Sequence, residues 1–158
     1  MYDQYGFWTV DGSTDFGLMP AGIFSGVDKP LPIRLQHGNK KWGVEHIEQR
    51  HGAWLLKQEH TPASMVHLKL QQSGSVYSTE AEDKTKINMM LNPSALLVLR
   101  YIPTQEYLTV VTIYLKQDKI DGTYLGKYRP APGVAARLRP VPVYSPPPIA
   151  LPQLKKSA

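Results

Sequence analysis

The sequence predicts an α+β domain in which N-terminal helices cover one face of an antiparallel sheet. Three observations carry that expectation. A capped helix start, Thr61-Pro62-Ala63-Ser64, stands in the first half of the chain. The second half holds three runs rich in β-branched, aliphatic and aromatic residues, and a four-residue connection, Pro103-Thr104-Gln105-Glu106, joins the last two as a hairpin. At 158 residues the chain has room for one such domain and a tail. We therefore expect a loop-rich lead-in over 1–29, an α+β domain over 30–129 and a proline-rich basic tail over 130–158.

In chain order, Gly6, Gly12, Gly17, Gly22 and Gly26 break any long periodic element in the lead-in, leaving turns and short strands. Leu31 to Leu35 alternates apolar residues, with Pro30 and Pro32 confining it to the start or edge of a sheet, and Gly38-Asn39 ends it. From Val44 to Glu59 the apolar positions Val44, Ile47, Trp54, Leu55 and Leu56 fit a helix only approximately, with Gly52 as an interruption or end. The next helix is cleaner. Thr61 caps it, Pro62 takes the first helical position, and Met65, Val66, Leu68 and Leu70 follow up to Ser73-Gly74. Strands are expected at Lys86–Leu91, Ala95–Ile102 and Tyr107–Lys116, with a short one within Gly122–Tyr128. From Pro130 onward, 29 residues hold eight of the fourteen prolines, whose missing amide donors favour extended chain outside any sheet.

Cysteine is absent, which excludes disulfides, thiolate metal sites and a cysteine nucleophile. No apolar run approaches the roughly 18 to 20 residues that span a bilayer, and Met1-Tyr2-Asp3-Gln4 does not begin a signal peptide, so a soluble protein is expected. The net charge of +5 is unevenly placed. From Gly122 onward there are six Lys or Arg and no carboxylate, a balance that admits a polyanion such as RNA as partner.

The stretch His46-Ile-Glu-Gln-Arg50-His51 gathers two of the five histidines beside an arginine. On a helix His46 and Arg50 share a face, whereas His51 is turned away from His46 by about 140°. Only a helix that ends near Arg50, an ending that Gly52 allows, would turn both imidazoles into one cleft. Zinc is disfavoured, because arginine holds the i+4 position where the second ligand of a His-Glu-x-x-His helix stands, so no metal is assigned. Metal-free RNA cleavage needs a base for the 2′-hydroxyl, an acid for the leaving 5′-oxygen and a cation for the phosphorane, and two histidines with one arginine supply that set. On spacing alone a solvated helix face with Glu45, Glu48 and Gln49 stands slightly ahead.

A strand at Pro32–Gly38, the motif Gly43-Val-Glu-His-Ile-Glu-Gln-Arg-His51 and a strand-rich half up to residue 128 together resemble the barnase, EndoU, colicin and RelE-like (BECR-fold) ribonuclease superfamily. The likeness is to its polymorphic-toxin and phage-associated branches, which carry a His-Ile-x-x-Arg-His helix. It implies a cofactor-free endoribonuclease toxin that cleaves RNA, tRNA among the candidates, by 2′-hydroxyl attack to a cyclic phosphate. A cognate immunity protein is implied with it, as is action in a bacterial cytoplasm reached through a secretion system or phage. His46, Arg50 and His51 match the motif, with the base and acid roles open between the histidines. Thr112 is the first candidate for a further site residue and Tyr124 the second. Arg100, Lys116 and Lys127 are candidate RNA contacts, Arg100 because it interrupts an apolar strand.

Two other classes compete. A non-catalytic phage or secretion-system module would use the sheet as a partner surface and its tail as a docking segment. A nucleotide-using transferase could employ the same His, Arg and Tyr residues.

Overall fold

Alternation of apolar and polar residues sets the sheet's two faces. The computed structural model describes residues 2–23, 27–78, 86–91, 95–115, 122–130 and 142–148. Strands β1 (Thr9–Val10), β2 (Asp15–Met19) and β3 (Leu31–Arg34) precede helices α1 (Gly43–Lys57) and α2 (Pro62–Leu70). Then come β4 (Gly74–Ser78), β5 (Lys86–Leu91), β6 (Ala95–Ile102), β7 (Tyr107–Leu115), β8 (Tyr124–Tyr128) and β9 (Tyr144–Ser145). Among the described residues seven strands form one sheet in the order β2-β3-β7-β6-β5-β4-β8. From β4 to β7 it is an antiparallel meander, and the expected hairpin closes with Ile102 opposite Tyr107. The α+β class is thus the observed one.

Residues directly opposite each other across strands point to the same face. Val76, Met89, Leu97 and Ile113 form one such row, and Ile87, Leu99 and Val110 another; all are buried in the core. The opposite, front face carries Lys86, Asn88, Val98, Arg100, Thr109, Thr112 and Tyr114. Thr109 and Thr112 share it although three residues apart, because β7 opposes Val98–Leu99 with Thr112 and Val110 and bulges at Val111.

The sheet curls around its core. A Cβ added at Gly17 on edge strand β2 would lie 3.2 Å from the hydroxyl of Tyr128 on the other edge strand, β8, and 3.2 Å from Leu70 of α2. Tyr128 is fully buried and its hydroxyl donates to the Leu70 carbonyl, so α2 joins the two edges; burial pushes its phenol pKa up.

Several elements depart from the sequence reading. The lead-in, expected as turns and short strands, also supplies core: β2 pairs with β3, and Phe16 and Met19 are buried. Strand β4 falls where only a helix stop was expected, since Val76 is its single buried position and gives no alternation to read. β3 meets β7 in parallel at Ile33–Leu108 and Arg34–Thr109, a non-local pairing. Helix α1 runs through Gly52 to Lys57 without a break, because Leu55 is anchored in the core beyond it. The tail contributes β9, which pairs with β1. Between Pro142 and Pro146 the chain regains its amides: Val143 donates to the Asp11 carboxylate and accepts from the Asp11 amide. The end of the expected strand at Lys116 lies outside the described residues.

Candidate functional site

Helix α1 starts by tertiary contact. Trp42 at its N-cap offers no side-chain cap, and two early amides are satisfied by the preceding segment: Val44 donates to the Gln36 carbonyl at 3.1 Å and Glu45 to the His37 carbonyl at 2.9 Å. This backbone approach requires glycine at positions 38 and 43. Their φ values are +71° and +81°, and a Cβ on Gly38 would collide with the Trp42 carbonyl. Helix α1 packs against β7, and this placement sets the histidines.

The His46 and His51 rings lie edge to face with centroids 6.1 Å apart, so the expectation that only a helix ending near Arg50 could bring them together is corrected: α1 continues to Lys57. Five residues are about 1.4 turns, and the two side chains lean together across that interval. The stacking partner of His51 is Tyr114 on the front face of β7, 5.3 Å away at 21°. Burial lowers the His51 pKa below its ordinary value, and the charges of His46 and Arg50 lower it further. His46 Nδ1 sits 2.9 Å from the Lys40 carbonyl. A carbonyl only accepts, so Nδ1 carries the proton and Nε2 is the nitrogen left for a ligand.

The other three histidines have structural partners. His37 Nδ1 accepts from Trp8 Nε1 at 3.4 Å, His60 Nδ1 bonds Ser64 Oγ at 2.8 Å beside the α2 cap, and His67 Nδ1 bonds the Tyr144 hydroxyl at 2.8 Å. Among the described residues no group of three or more His, Asp or Glu stands in a metal-holding arrangement.

Arg50 is exposed, next to His51 and one turn from His46. Thr112 shares the front face with Tyr114, but its hydroxyl is enclosed and has no hydrogen-bond partner among the described residues. Tyr124 and Lys127 point to that face from β8, four strands from β7. At about 4.8 Å per strand that is roughly 19 Å along the sheet. They do not join the histidine pair; Tyr124 packs edge-on against Tyr77.

Further along the front face a cleft of about 800 Å³ opens over β5, β6 and the first half of β7. Its walls include Tyr5, Lys41, Trp42, Lys86, Arg100 and Thr109. Arg100, the cation that interrupted an apolar strand, therefore faces a cleft. Lys41, Lys86, Tyr5, Trp42 and Thr109 were not singled out by sequence. The strand alternation of Lys86 with buried Ile87, Met89 and Leu91 was a signal for its face, but nothing local joins it to residues near the N-terminus. Lys116 lies outside the described residues. No helix among the described residues is long and apolar enough to cross a membrane. No family model, curated protein or solved structure matches the chain.

Proposed function

We propose that the protein is a metal-independent endoribonuclease toxin. The observation that supports this most is the close approach of two imidazoles with unlike surroundings: burial holds His51 toward its neutral form, and His46 is pinned at Nδ1 with Nε2 left over. Neutral His51 is the base that takes the proton of the 2′-hydroxyl. His46, when protonated, gives its Nε2 proton to the departing 5′-oxygen. The 2′-oxygen bonds to phosphorus as the P–O5′ bond breaks, leaving a 2′,3′-cyclic phosphate and a free 5′-hydroxyl. Arg50, beside His51, neutralises the phosphate oxygens, and the guanidinium suits the task because its donors match two oxygens at once. Thr112, on the same face of β7 as Tyr114, is assigned to position the phosphate. Resemblance to the BECR-fold toxins supports the same chemistry, with a cognate immunity protein as the partner that restrains it.

The test is cleavage of a mixed RNA substrate in EDTA, with sequencing of the ends. Wild type is expected to leave cyclic phosphates, and His51→Ala and His46→Ala each to lose at least about 100-fold in rate, the lower range for an acid or base. Folded variants that both cut at the wild-type rate overturn the assignment. A second reading, a binding module without catalysis, draws on the cationic, aromatic cleft away from the histidines. Such a protein is harmless when expressed alone, whereas the ribonuclease arrests growth and fragments RNA.

A further inference from the structure

The front-face cleft carries an arrangement that the histidine pair does not use. One row of register partners crosses five strands: Asp15 on β2, Arg34 on β3, Thr109 on β7, Arg100 on β6 and Lys86 on β5. At one end Arg34 is held by Asp15, with Nε to Oδ1 at 3.0 Å, and its guanidinium lies 5.3 and 5.5 Å from the rings of Tyr107 and Phe7. At the other end Lys86 and Arg100 are direct neighbours across two strands and both line the cleft. Between the two ends is Thr109, whose hydroxyl is buried and has no hydrogen-bond partner among the described residues.

Aromatic rings line the cleft as well. Phe7 and Tyr107 pack edge-on to each other at 5.5 Å beside Arg34 and form part of its wall. Tyr5 is 61% exposed and stands 6.0 Å from Trp42 at a 36° tilt, so it offers an open ring at the mouth. Lys41 adds a third cation beside that mouth, and the described lining has no carboxylate. A volume of about 800 Å³ suits a small ligand.

We infer that this cleft binds one nucleotide unit, with its base on the Tyr5 and Trp42 rings and its phosphate at Lys86 and Arg100. Both halves of the site are needed for that ligand: aromatic rings accept any base face, and paired cations hold the phosphate. The site is separate from the proposed cleavage and holds even if His46 and His51 catalyse nothing. The unit is either a free nucleoside monophosphate or one residue of an RNA strand, and the chemistry recognised is the same.

Calorimetric titration of the whole protein distinguishes these sources and tests the site. Adenosine and uridine 5′-monophosphates are expected to bind at least tenfold more tightly than the nucleosides or inorganic phosphate. A short non-cleavable 2′-deoxy oligonucleotide that binds tighter again identifies a strand as the source; equal affinity identifies the free nucleotide. Lys86→Gln with Arg100→Gln is expected to bring the monophosphate down to the nucleoside level and flatten its salt dependence. Tyr5→Ala, at an exposed position, is expected to weaken nucleotide and nucleoside alike. His51→Ala leaves all these affinities unchanged while removing cleavage, so the two proposals fail separately. Monophosphate binding no tighter than that of phosphate alone, or unaffected in both folded variants, overturns the inference.

Discussion

Helix α2 begins with its own side chains. Thr61 accepts from the Ser64 amide at 3.1 Å, Ser64 accepts from the Thr61 amide at 2.9 Å, and Pro62 presets the first turn. Helix α1 begins with none of these, its early amides being held by the carbonyls of Gln36 and His37 through a loop closed by two glycines at positive φ. The helix with the local signal braces the sheet edges, whereas the one without it carries His46, Arg50 and His51. Placing α1 from the end of β3 fixes the histidines relative to β7, which a self-capped helix would not do.

The sharpest way to break this contrast is Gly38→Ala. A side chain there meets both a positive φ and the Trp42 carbonyl, so a loss of about 3 kcal/mol or more is expected in denaturant melts, together with loss of the His51–Tyr114 stacking. Retained stability would mean that the loop has another way to close. Thr61→Ala removes the α2 cap and is expected to cost about 1 kcal/mol. Its effect should stay local, leaving the imidazole resonances of His46 and His51 where they are.

The same contrast explains what was legible in the sequence. Helix α2 and the β6–β7 hairpin depend on residues close in the chain, and both stand where local patterns put them. Helix α1 was legible as an element but not in its extent, because Gly52 resembles a stop until Leu55 is known to be buried. The histidine cluster was legible in composition, while its geometry hangs on β7. The cleft was hidden almost entirely: Lys86, Arg100 and Thr109 become neighbours only through strand register, a non-local property. β9 was obscured by its prolines, although Val143, Tyr144 and Ser145 between them are free to pair.

Gly52 offers a smaller and opposite effect. It lies inside α1, where a Cβ would meet nothing within 4 Å. Gly52→Ala is therefore expected to stabilise the protein by roughly 0.5 to 1 kcal/mol, as removing backbone entropy from a helix interior does. Thermal melts check it, and a destabilised variant would show that the glycine has a role the open space does not reveal.

The smallest expected effect is a pH dependence carried by α1. Burial is the larger cause of the lowered His51 pKa, with His46 and Arg50 adding repulsion. Folded His51 therefore holds its proton less tightly than the unfolded chain, whose ordinary value is 6.5. Its contribution to stability is fully present above that value and is lost as pH falls from there through the folded pKa. Wild type should accordingly lose more stability than His51→Gln between about pH 8 and about pH 5, the range in which histidine changes charge. Following the His51 ring by NMR separates the causes. Arg50→Gln removes one repulsive charge and should raise the midpoint, yet leave it below 6.5 because burial remains. A midpoint at or above 6.5 in wild type would remove the reason for assigning the base role to His51.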